Sequence, residues 1–163
     1  MNLNLAGKKA LITGASKGIG LAIAKRFAIE GCSVIFVARS EDDLKKAQRD
    51  ILATNQNVAV DYRVADLSNT SEVNALAKEQ RDIDILVNNA GTNIPEPFEK
   101  IQQKSMNYIV DLNLKAAFNV AQLVVKKMLK NKKRGGSIIN MSSQLGHVGM
   151  PGRNVYNMTK FGI

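Results

Sequence analysis

Short runs of apolar, often β-branched residues recur along the chain, and longer amphipathic segments separate them. This alternation predicts buried strands, each followed by a helix. The predicted strands are 10–13, 34–38, 58–64, 83–87 and 137–141. The predicted helices are 19–30, 41–53, 71–80 and 105–129. Repeated strand–helix units with almost wholly apolar strands predict an α/β fold, a doubly wound parallel sheet covered by helices on both faces and joined by right-handed crossovers.

Capping residues precede two of the predicted helices. Ser40 and Asp43 have the spacing of a capping box, with Asp in place of the longer Glu, and Asn69 and Glu72 repeat that spacing with an Asn cap. The proline-containing loop 92–100 is predicted to lie on the surface beside the site that the strand ends would form.

Length and composition are typical of one soluble domain. The chain has 163 residues, of which 45% are hydrophobic and 23% charged. No apolar run approaches the roughly 20 residues that cross a bilayer, and the first residues do not have the pattern of a signal peptide. We therefore expect a cytoplasmic protein with no membrane partner. Cys32, the single cysteine, precedes a predicted strand and is expected to be a small buried apolar residue rather than a reactive thiol.

The formal net charge of +9 raises the question of nucleic-acid binding. Much of this charge follows the last long predicted helix, at Lys126, Lys127, Lys130, Lys132, Lys133 and Arg134. Cations at that position stabilise the negative end of the helix dipole, and the following Gly135 and Gly136 are typical of a helix end. No aromatic residue is interleaved with the run, as base stacking would require. We therefore interpret the run as a solvated helix end and predict no nucleic-acid partner.

A glycine-rich turn joins the first predicted strand to the first predicted helix. In the segment ALITGASKGIG the glycines Gly14, Gly18 and Gly20 are spaced G-x-x-x-G-x-G. Glycines at such a turn let the backbone approach a pyrophosphate, which then lies at the positive N-terminus of the helix. The alternative is that the glycines serve the geometry of a tight turn alone.

Three segments together carry a resemblance. The glycine turn TGASKGIG, the segment NNAG at 88–91 and the segment YNMTK at 156–160 occur in the order found in the single-domain short-chain dehydrogenases/reductases, which the chain therefore resembles over its whole length. That family has its own G-x-x-x-G-x-G spacing, whereas its extended branch fits less well. The resemblance implies a Rossmann fold with three α/β/α layers and hydride transfer between a nicotinamide cofactor and a carbonyl or alcohol.

The same resemblance implies four catalytic residues. Tyr156 would donate the proton to the substrate oxygen, and Lys160, four residues later on the same helix face, would stabilise the phenolate that remains. Ser143 matches the family's catalytic serine and would donate a hydrogen bond to the substrate oxygen; its spacing to Tyr156 favours it over Ser142. Asn113, in DLNLKA, matches the asparagine that supports a water in the family's proton relay.

Each of these residues also has a simpler interpretation. A Tyr and a Lys four residues apart occur by chance on amphipathic helices, serines at a strand end can form a turn, and an asparagine can face solvent. Their joint occurrence in the family's order favours the catalytic interpretation. His147, the only histidine, is expected to line a substrate pocket or to lie in a solvated loop, and no metal site is predicted.

The end of the second predicted strand bears on the choice of cofactor. NAD-preferring proteins usually have an acidic residue there for the ribose 2′-hydroxyl, but this chain has Ala38 followed by Arg39. Arg39 would bind a 2′-phosphate, and Lys17 in the glycine turn offers a second cation. The alternative is that both cations are solvated and that Glu41 serves the ribose of NAD. We predict NADP(H), with NAD less favoured.

Further cofactor contacts are implied by the resemblance. Lys160 would also hold the nicotinamide ribose, Asp66 would contact the adenine ring, and the segment 88–91 would brace the sheet beside the cofactor. The predicted cofactor-binding residues are Gly14, Ser16, Lys17, Gly18, Ile19, Gly20, Arg39, Asp66, Leu67, Asn88, Ala90, Gly91, Tyr156 and Lys160.

The resemblance concerns the end of the chain as well. Family members continue beyond the Y-x-x-x-K helix with further strands, whereas this chain ends three residues after Lys160. We therefore expect a single domain, 1–163, that is incomplete at its C-terminus and lacks the family's last strands. Its fifth strand would be an exposed edge, and the full-length protein would be a homo-oligomer.

These observations predict an NADP-dependent oxidoreductase that acts on a small-molecule carbonyl or secondary alcohol. The alternative is a non-catalytic nucleotide-binding fragment or sensor of the same fold. The four catalytic residues favour the enzyme, because a sensor does not need them. The substrate stays open, since chains with these motifs act on keto-acyl thioesters, sugars, polyols and steroids.

Overall fold

The apolar runs of the sequence form one parallel sheet. The computed structural model of the chain describes residues 3–79, 82–130 and 135–163. Within these residues the strands are β1 (Lys9–Thr13), β2 (Ser33–Ala38), β3 (Val60–Val64), β4 (Ile85–Asn88) and β5 (Ser137–Asn140). Their order is β3-β2-β1-β4-β5, and every neighbouring pair is parallel. The predicted doubly wound parallel sheet is confirmed.

Helices connect these strands. They are α1 (Gly18–Ile29), α2 (Glu41–Leu52), α3 (Thr70–Glu79), α4 (Gln103–Val110), α5 (Ala116–Lys130) and α6 (Asn154–Gly162). A π-helical turn, Asp111–Lys115, joins α4 to α5 into one continuous helix, and the sequence did not predict this turn. The predicted loop 92–100 is irregular except for a 3₁₀ turn at Phe98–Lys100.

The predicted bounds differ from the observed ones mainly at element ends. The third strand begins at Val60 rather than at residue 58, because Val60 is the first residue that pairs with β2, opposite Val34. The fourth strand begins at Ile85 rather than at residue 83, although Ile83 is buried. Residue 80, the predicted end of the third helix, lies outside the described residues.

The strand order reverses between β1 and β4. The chain passes from β1 to β2 and β3 on one side, and then crosses to β4 and β5 on the other. Helices α1 and α2 pack their apolar sides on one face of the sheet, and α3 and α5 pack theirs on the other. In such sheets ligands bind beyond the carboxyl ends of the strands where the order reverses. The topology therefore places a site at the ends of β1 and β4.

The predicted capping residues are present in altered form. Ser40 Oγ accepts a hydrogen bond from Asp43 N at 3.3 Å, as a helix N-cap does. Asn69 Oδ1 accepts from Ser71 N at 2.9 Å. The Glu72 carboxylate accepts from Asn69 Nδ2 and also from Asp66 N, so it secures the turn after β3.

The continuous helix Gln103–Lys130 is long and apolar enough, by length and composition, to cross a membrane. The sequence expectation concerned an uninterrupted apolar run, and the charged residues Asp111 and Lys115 interrupt the apolar residues of this helix. Ile109, Leu112, Val120 and Val124 on this helix are buried in the fold, as expected for a core helix of a soluble protein.

Two compositional expectations can be compared with the structure. Cys32 is fully buried, and burial raises the pKa of its thiol to about 11, which agrees with an inert core residue. The last turn of α5 contains Lys127 and Lys130, where cations favour the helix dipole. The remainder of the basic run, Lys132, Lys133 and Arg134, lies outside the described residues.

Strand β5 forms one edge of the sheet. All four of its residues are exposed, including Ile138 and Ile139, which are 38% and 41% exposed. It pairs only with β4 among the described residues. The fifth strand is thus an exposed edge, as expected.

Candidate active site

A cleft of about 560 Å³ opens where the strand order reverses. It is lined by residues from the glycine turn and from the carboxyl ends of three strands, with Leu112 of the π-helical turn on the far side. The predicted cofactor-binding residues on its walls are Gly14, Ser16, Lys17, Arg39, Leu67, Ala90 and Gly91. The walls carry two cations, Lys17 and Arg39, and one acid, Asp43. The net charge of these side chains is positive and favours an anionic ligand.

The glycine turn needs glycine for close packing. A Cβ atom on Gly14 would lie 2.7 Å from Ala90 Cα, and one on Gly20 would lie 2.5 Å from Gly14 O. Gly18 has open space around it, but its φ of +58° is in the left-handed region. Helix α1 begins here with no acidic residue in its first turn and no side-chain cap. This helix end can therefore accept an anionic group.

Asn89 holds the glycine turn in place, although it was absent from the predicted site residues. Its Nδ2 donates to Thr13 O and to Gly14 O, both at 3.0 Å. Thr13 Oγ1 in turn accepts from Asn89 N and Ala90 N at 3.0 Å. This pair of side chains ties the end of β1 to the end of β4. The second asparagine of NNAG was the sequence signal for it.

Asn88 lies next to Asn89 but points away from the cleft. Its Nδ2 donates to Ala117 O and to Asn140 Oδ1, both at 3.0 Å. It therefore connects β4 to β5 and to α5, and it is not among the cleft-lining residues. The expectation that this segment braces the sheet agrees with these bonds.

The two acids near the ends of β2 and β3, Glu41 and Asp66, already have hydrogen-bond or ion-pair partners. Glu41 Oε1 is paired with Lys45 Nζ at 3.0 Å and lies 3.4 Å from the Tyr62 hydroxyl. The hydrogen bond and charge of Lys45 hold the pKa of Glu41 below its ordinary value. Asp66 Oδ1 accepts from Ser68 N and Ser68 Oγ, at 2.9 and 2.7 Å. Neither acid is among the residues that line the cleft.

A second pocket of about 240 Å³ adjoins the cleft, and Asn89 and Gly91 line both. Ile19, Tyr156 and Lys160 also line it, as does Ser142. The two pockets together run from the ends of β2 and β3 to the N-terminal part of α6.

Lys160 is the most constrained charged group of this pocket. It is only 6% exposed, and its Nζ donates to Met141 O at 2.5 Å and lies 5.8 Å from the centre of the Tyr156 ring. Burial lowers the pKa of Lys160 from its ordinary value of 10.5. The structure thus brings together the predicted tyrosine and lysine on one face of α6. The backbone oxygen of Met141, the residue after β5, holds the lysine.

The two serines after β5 differ in what their hydroxyls do. Ser142 Oγ donates to Lys160 O at 2.8 Å. Ser143 Oγ instead accepts from Leu145 N at 3.1 Å, as the cap of a short 3₁₀ turn. Ser142 lines the smaller pocket and Ser143 does not. Of these two serines, Ser143 is the one whose O–H donates no hydrogen bond within the described part of the chain.

Asn113 is fully buried within the π-helical turn. Its Oδ1 accepts from Thr92 N and its Nδ2 donates to Thr92 O, both at 2.8 Å. The second Nδ2 proton goes to Thr159 Oγ1 at 3.1 Å. Asn113 therefore joins the loop after β4 to α6. It does not face solvent, so that simpler interpretation is wrong.

His147 lies apart from both pockets. It is exposed and follows the 3₁₀ turn Gln144–Gly146. In the described part of the chain no group of His, Cys, Asp and Glu side chains could hold a metal ion.

Comparison with known proteins identifies the family to which this chain belongs. The family model described as short chain dehydrogenase matches residues 8–163. The chain is 38% identical over 162 residues to the 3-oxoacyl-(acyl-carrier-protein) reductase of Staphylococcus aureus, a match that covers 96% of this chain and 64% of that protein.

Two solved structures share the fold. The L-sorbose reductase of Gluconobacter frateurii, solved with NADPH and L-sorbose, has a TM-score of 0.92 and 34% identity, over 99% of this chain and 62% of that one. A metagenomic short-chain oxidoreductase, solved with NADP, has a TM-score of 0.88 and 31% identity, over 97% and 72% of the two chains.

The sheet topology and the two adjoining pockets define a Rossmann-like α/β protein with a cleft at the carboxyl ends of its parallel strands. The chain belongs to the short-chain dehydrogenase family. It spans 64% to 66% of the length of the curated relatives that it matches first.

Proposed function

We propose that this chain is the cofactor-binding and catalytic domain, 1–163, of an NADP-dependent oxidoreductase that transfers a hydride between nicotinamide and a carbonyl or secondary alcohol. One observation supports the proposal most directly. The buried Lys160 ammonium lies 5.8 Å from the Tyr156 ring centre, in a pocket continuous with the glycine-lined cleft. A buried cation beside a phenol is the arrangement that proton transfer to a carbonyl oxygen requires.

The residues of the cleft fit a dinucleotide. Gly14 and Gly20 leave no room for a Cβ atom, so the backbone can approach a diphosphate, and the start of α1 would hold its charge. Lys160 and Tyr156 would hold the nicotinamide ribose in the smaller pocket. When bound, the nicotinamide supplies or accepts the hydride.

The acid–base work falls to the side chains of α6 and of the segment after β5. Tyr156 would donate its phenolic proton to the carbonyl oxygen as the substrate carbon is reduced, and would take it back when an alcohol is oxidised. Lys160 would stabilise the phenolate. The free O–H of Ser143 would donate a hydrogen bond to the substrate oxygen, whereas the Ser142 hydroxyl is occupied by Lys160 O.

Asn113 would contribute to the same reaction by holding the pocket wall in place. Both of its Nδ2 protons and its Oδ1 are bonded to Thr92 and Thr159, so it fixes the pocket wall opposite α6. Support of a water by Asn113 stays a prediction.

NADP is favoured over NAD by the charges at the adenosine end. Arg39 and Lys17 line the cleft there, while Glu41, the acid that could have served NAD, is paired with Lys45. An arginine forms strong charge-assisted hydrogen bonds with a phosphate. Two structural relatives were solved in complex with NADPH or NADP, which also supports this choice.

The proposal extends to substrate, assembly and location. Relatives are named as reductases of 3-oxoacyl-(acyl-carrier-protein) and of L-sorbose, so a ketone on a small molecule or thioester is the proposed substrate class. Phe118 and Leu129 on α5 are 66% and 74% exposed, which favours a homo-oligomer. We place the protein in the cytoplasm.

Turnover of NADPH with 3-oxoacyl thioesters and ketoses tests the proposal. Tyr156→Phe should remove nearly all turnover, because the transition state needs the hydroxyl, and should change NADPH affinity only a few-fold, because Lys160 would still hold the nicotinamide ribose. Tyr62→Phe, which removes a hydroxyl from β3, is the matched control and should leave turnover unchanged. Turnover of Tyr156→Phe above about a tenth of the parent value would show that another group supplies the proton.

A further inference from the structure

The Arg39 side chain reaches from the end of β2 to Tyr108 on α4. Its Nη1 donates to the Tyr108 hydroxyl at 2.7 Å, and its guanidinium carbon lies 6.0 Å from the centre of the tyrosine ring. The two residues are 69 positions apart in the chain. They belong to different elements, so the contact depends on the fold rather than on local sequence.

Tyr108 belongs to the helix that forms the far side of the cleft. It precedes the cleft-lining Leu112 by four residues, and residues four apart share one face of a helix. Its half-buried ring packs against the core cluster that also contains Val37, Ala65 and Leu67. The ring is therefore anchored in the core, and its hydroxyl reaches Arg39 at the rim of the cleft.

We propose that Tyr108 is a positioning residue for cofactor selection, because its hydroxyl holds the Arg39 guanidinium at the rim of the cleft, ready for the 2′-phosphate of NADP(H). This inference rests on the NADP preference proposed above. It gives α4 a role in cofactor choice. The sequence motifs indicated only Arg39 and Lys17 for that role.

A tyrosine hydroxyl suits this task because it is neutral. A carboxylate in the same place would neutralise the guanidinium and compete with the phosphate, and Arg39 forms no ion pair among the described residues. A guanidinium has five N–H donors, and the hydroxyl uses one. The others stay available for a phosphate, and the side chain has less rotamer freedom left to lose on binding.

The other charged groups on the cleft walls do not replace this contact. Lys17 lies on the glycine turn and adds positive charge. Asp43 belongs to the first turn of α2, where its backbone N donates to Ser40 Oγ. In the described part of the chain neither side chain bonds to Arg39 or Tyr108, so removal of the Tyr108 hydroxyl removes the contact that holds Arg39.

A four-protein comparison tests the proposal: the parent chain, Tyr108→Phe, Arg39→Ala and the double variant. Each is titrated with NADPH and with NADH, and binding is followed by the fluorescence of the reduced nicotinamide, because the chain contains no tryptophan. Tyr108→Phe should weaken NADPH binding by about three- to tenfold and change NADH binding by less than about twofold. The double variant should match Arg39→Ala, since Tyr108 acts through Arg39.

Thr54→Val is the control for loss of a hydroxyl away from both pockets and should keep the full NADPH preference. If Arg39→Ala keeps that preference, the proposed NADP selectivity is wrong, and the role of Tyr108 is wrong with it. If Arg39→Ala loses the preference but Tyr108→Phe keeps it, only the role of Tyr108 is wrong. Equal weakening of NADPH and NADH by Tyr108→Phe would likewise overturn that role and would assign Tyr108 to the shape of the cleft.

Discussion

Thr159 Oγ1 lies 3.1 Å from Asn113 Nδ2 and 2.8 Å from the backbone oxygen of Tyr156. Thr159 and Asn113 are both fully buried. Thr159 accepts from Asn113 and donates to the helix backbone, so a single hydroxyl connects α6 to the π-helical turn. The orientation of α6, and with it of Tyr156 and Lys160, depends on this connection.

Thr159→Val should destabilise the protein. Valine has nearly the shape of threonine but leaves one buried Nδ2 proton of Asn113 without a partner, which costs about 1–3 kcal/mol. Thr159→Ser, which keeps the hydroxyl, should recover most of the free energy of unfolding. Urea denaturation of the three proteins measures both effects. Equal stability of the Val and Ser variants would show that the methyl group, not the hydroxyl, matters at this position.

The sequence was sufficient for the sheet and for the glycine turn. Strand β1 is apolar at its buried Ala10, Leu11 and Ile12. A Cβ atom at position 20 would lie 2.5 Å from Gly14 O, which explains the glycine there. Helix α6 places Tyr156 and Lys160 on one face, as their spacing predicts. These features are local, so a local pattern can encode them.

Other parts of the site depend on contacts between distant segments. The Asn89 side chain bonds to β1 about 75 residues earlier, and the Arg39–Tyr108 contact spans 69 residues. The π-helical turn contains Asn113, whose side chain bonds to Thr92 and to Thr159, 21 and 46 residues away. No spacing rule in a single sequence specifies such pairs, because either partner alone is an ordinary polar residue.

Gly20→Ala should disrupt the nucleotide site. The new Cβ atom would lie 2.5 Å from Gly14 O and 2.6 Å from Asn89 Nδ2, so the turn must shift. We expect a loss of about 1–3 kcal/mol in the free energy of unfolding, as for an overpacked core position. NADPH affinity should fall at least about tenfold, since loss of one hydrogen bond to a charged group costs about 1.5–3 kcal/mol. Gly135→Ala, where no atom lies within 4 Å, is the control and should change neither quantity.

Lys160 should give stability a distinctive pH dependence. Burial lowers its pKa below 10.5 in the folded protein. Between the folded pKa and 10.5 the unfolded Lys160 binds more protons than the folded one, so the contribution of Lys160 to the free energy of unfolding rises with pH across that window. Cys32, whose pKa burial raises to about 11, contributes a change of the opposite sign in the parent and in both variants. Lys160→Met should remove this rise, whereas Met at the exposed Lys104 should keep it. Urea denaturation at steps from about pH 8 to about pH 10.5 distinguishes them, and identical slopes for all three proteins would contradict the assignment.

The exposed edge at β5 should make the 163-residue chain self-associate when it is expressed alone. Ile138 and Ile139 are 38% and 41% exposed on a strand whose outer backbone groups have no strand partner among the described residues. Such an edge pairs with other chains, and a lysine on it opposes that pairing. We therefore expect irregular assemblies of the parent chain in size-exclusion chromatography with light scattering, and a smaller, more uniform species for Ile139→Lys. Ile29→Lys changes an isoleucine that is 51% exposed on α1 and serves as the control, because it adds the same charge away from the edge. A uniform monomer of the parent chain, or equal rescue by both lysine variants, would show that β5 is not the surface that drives association.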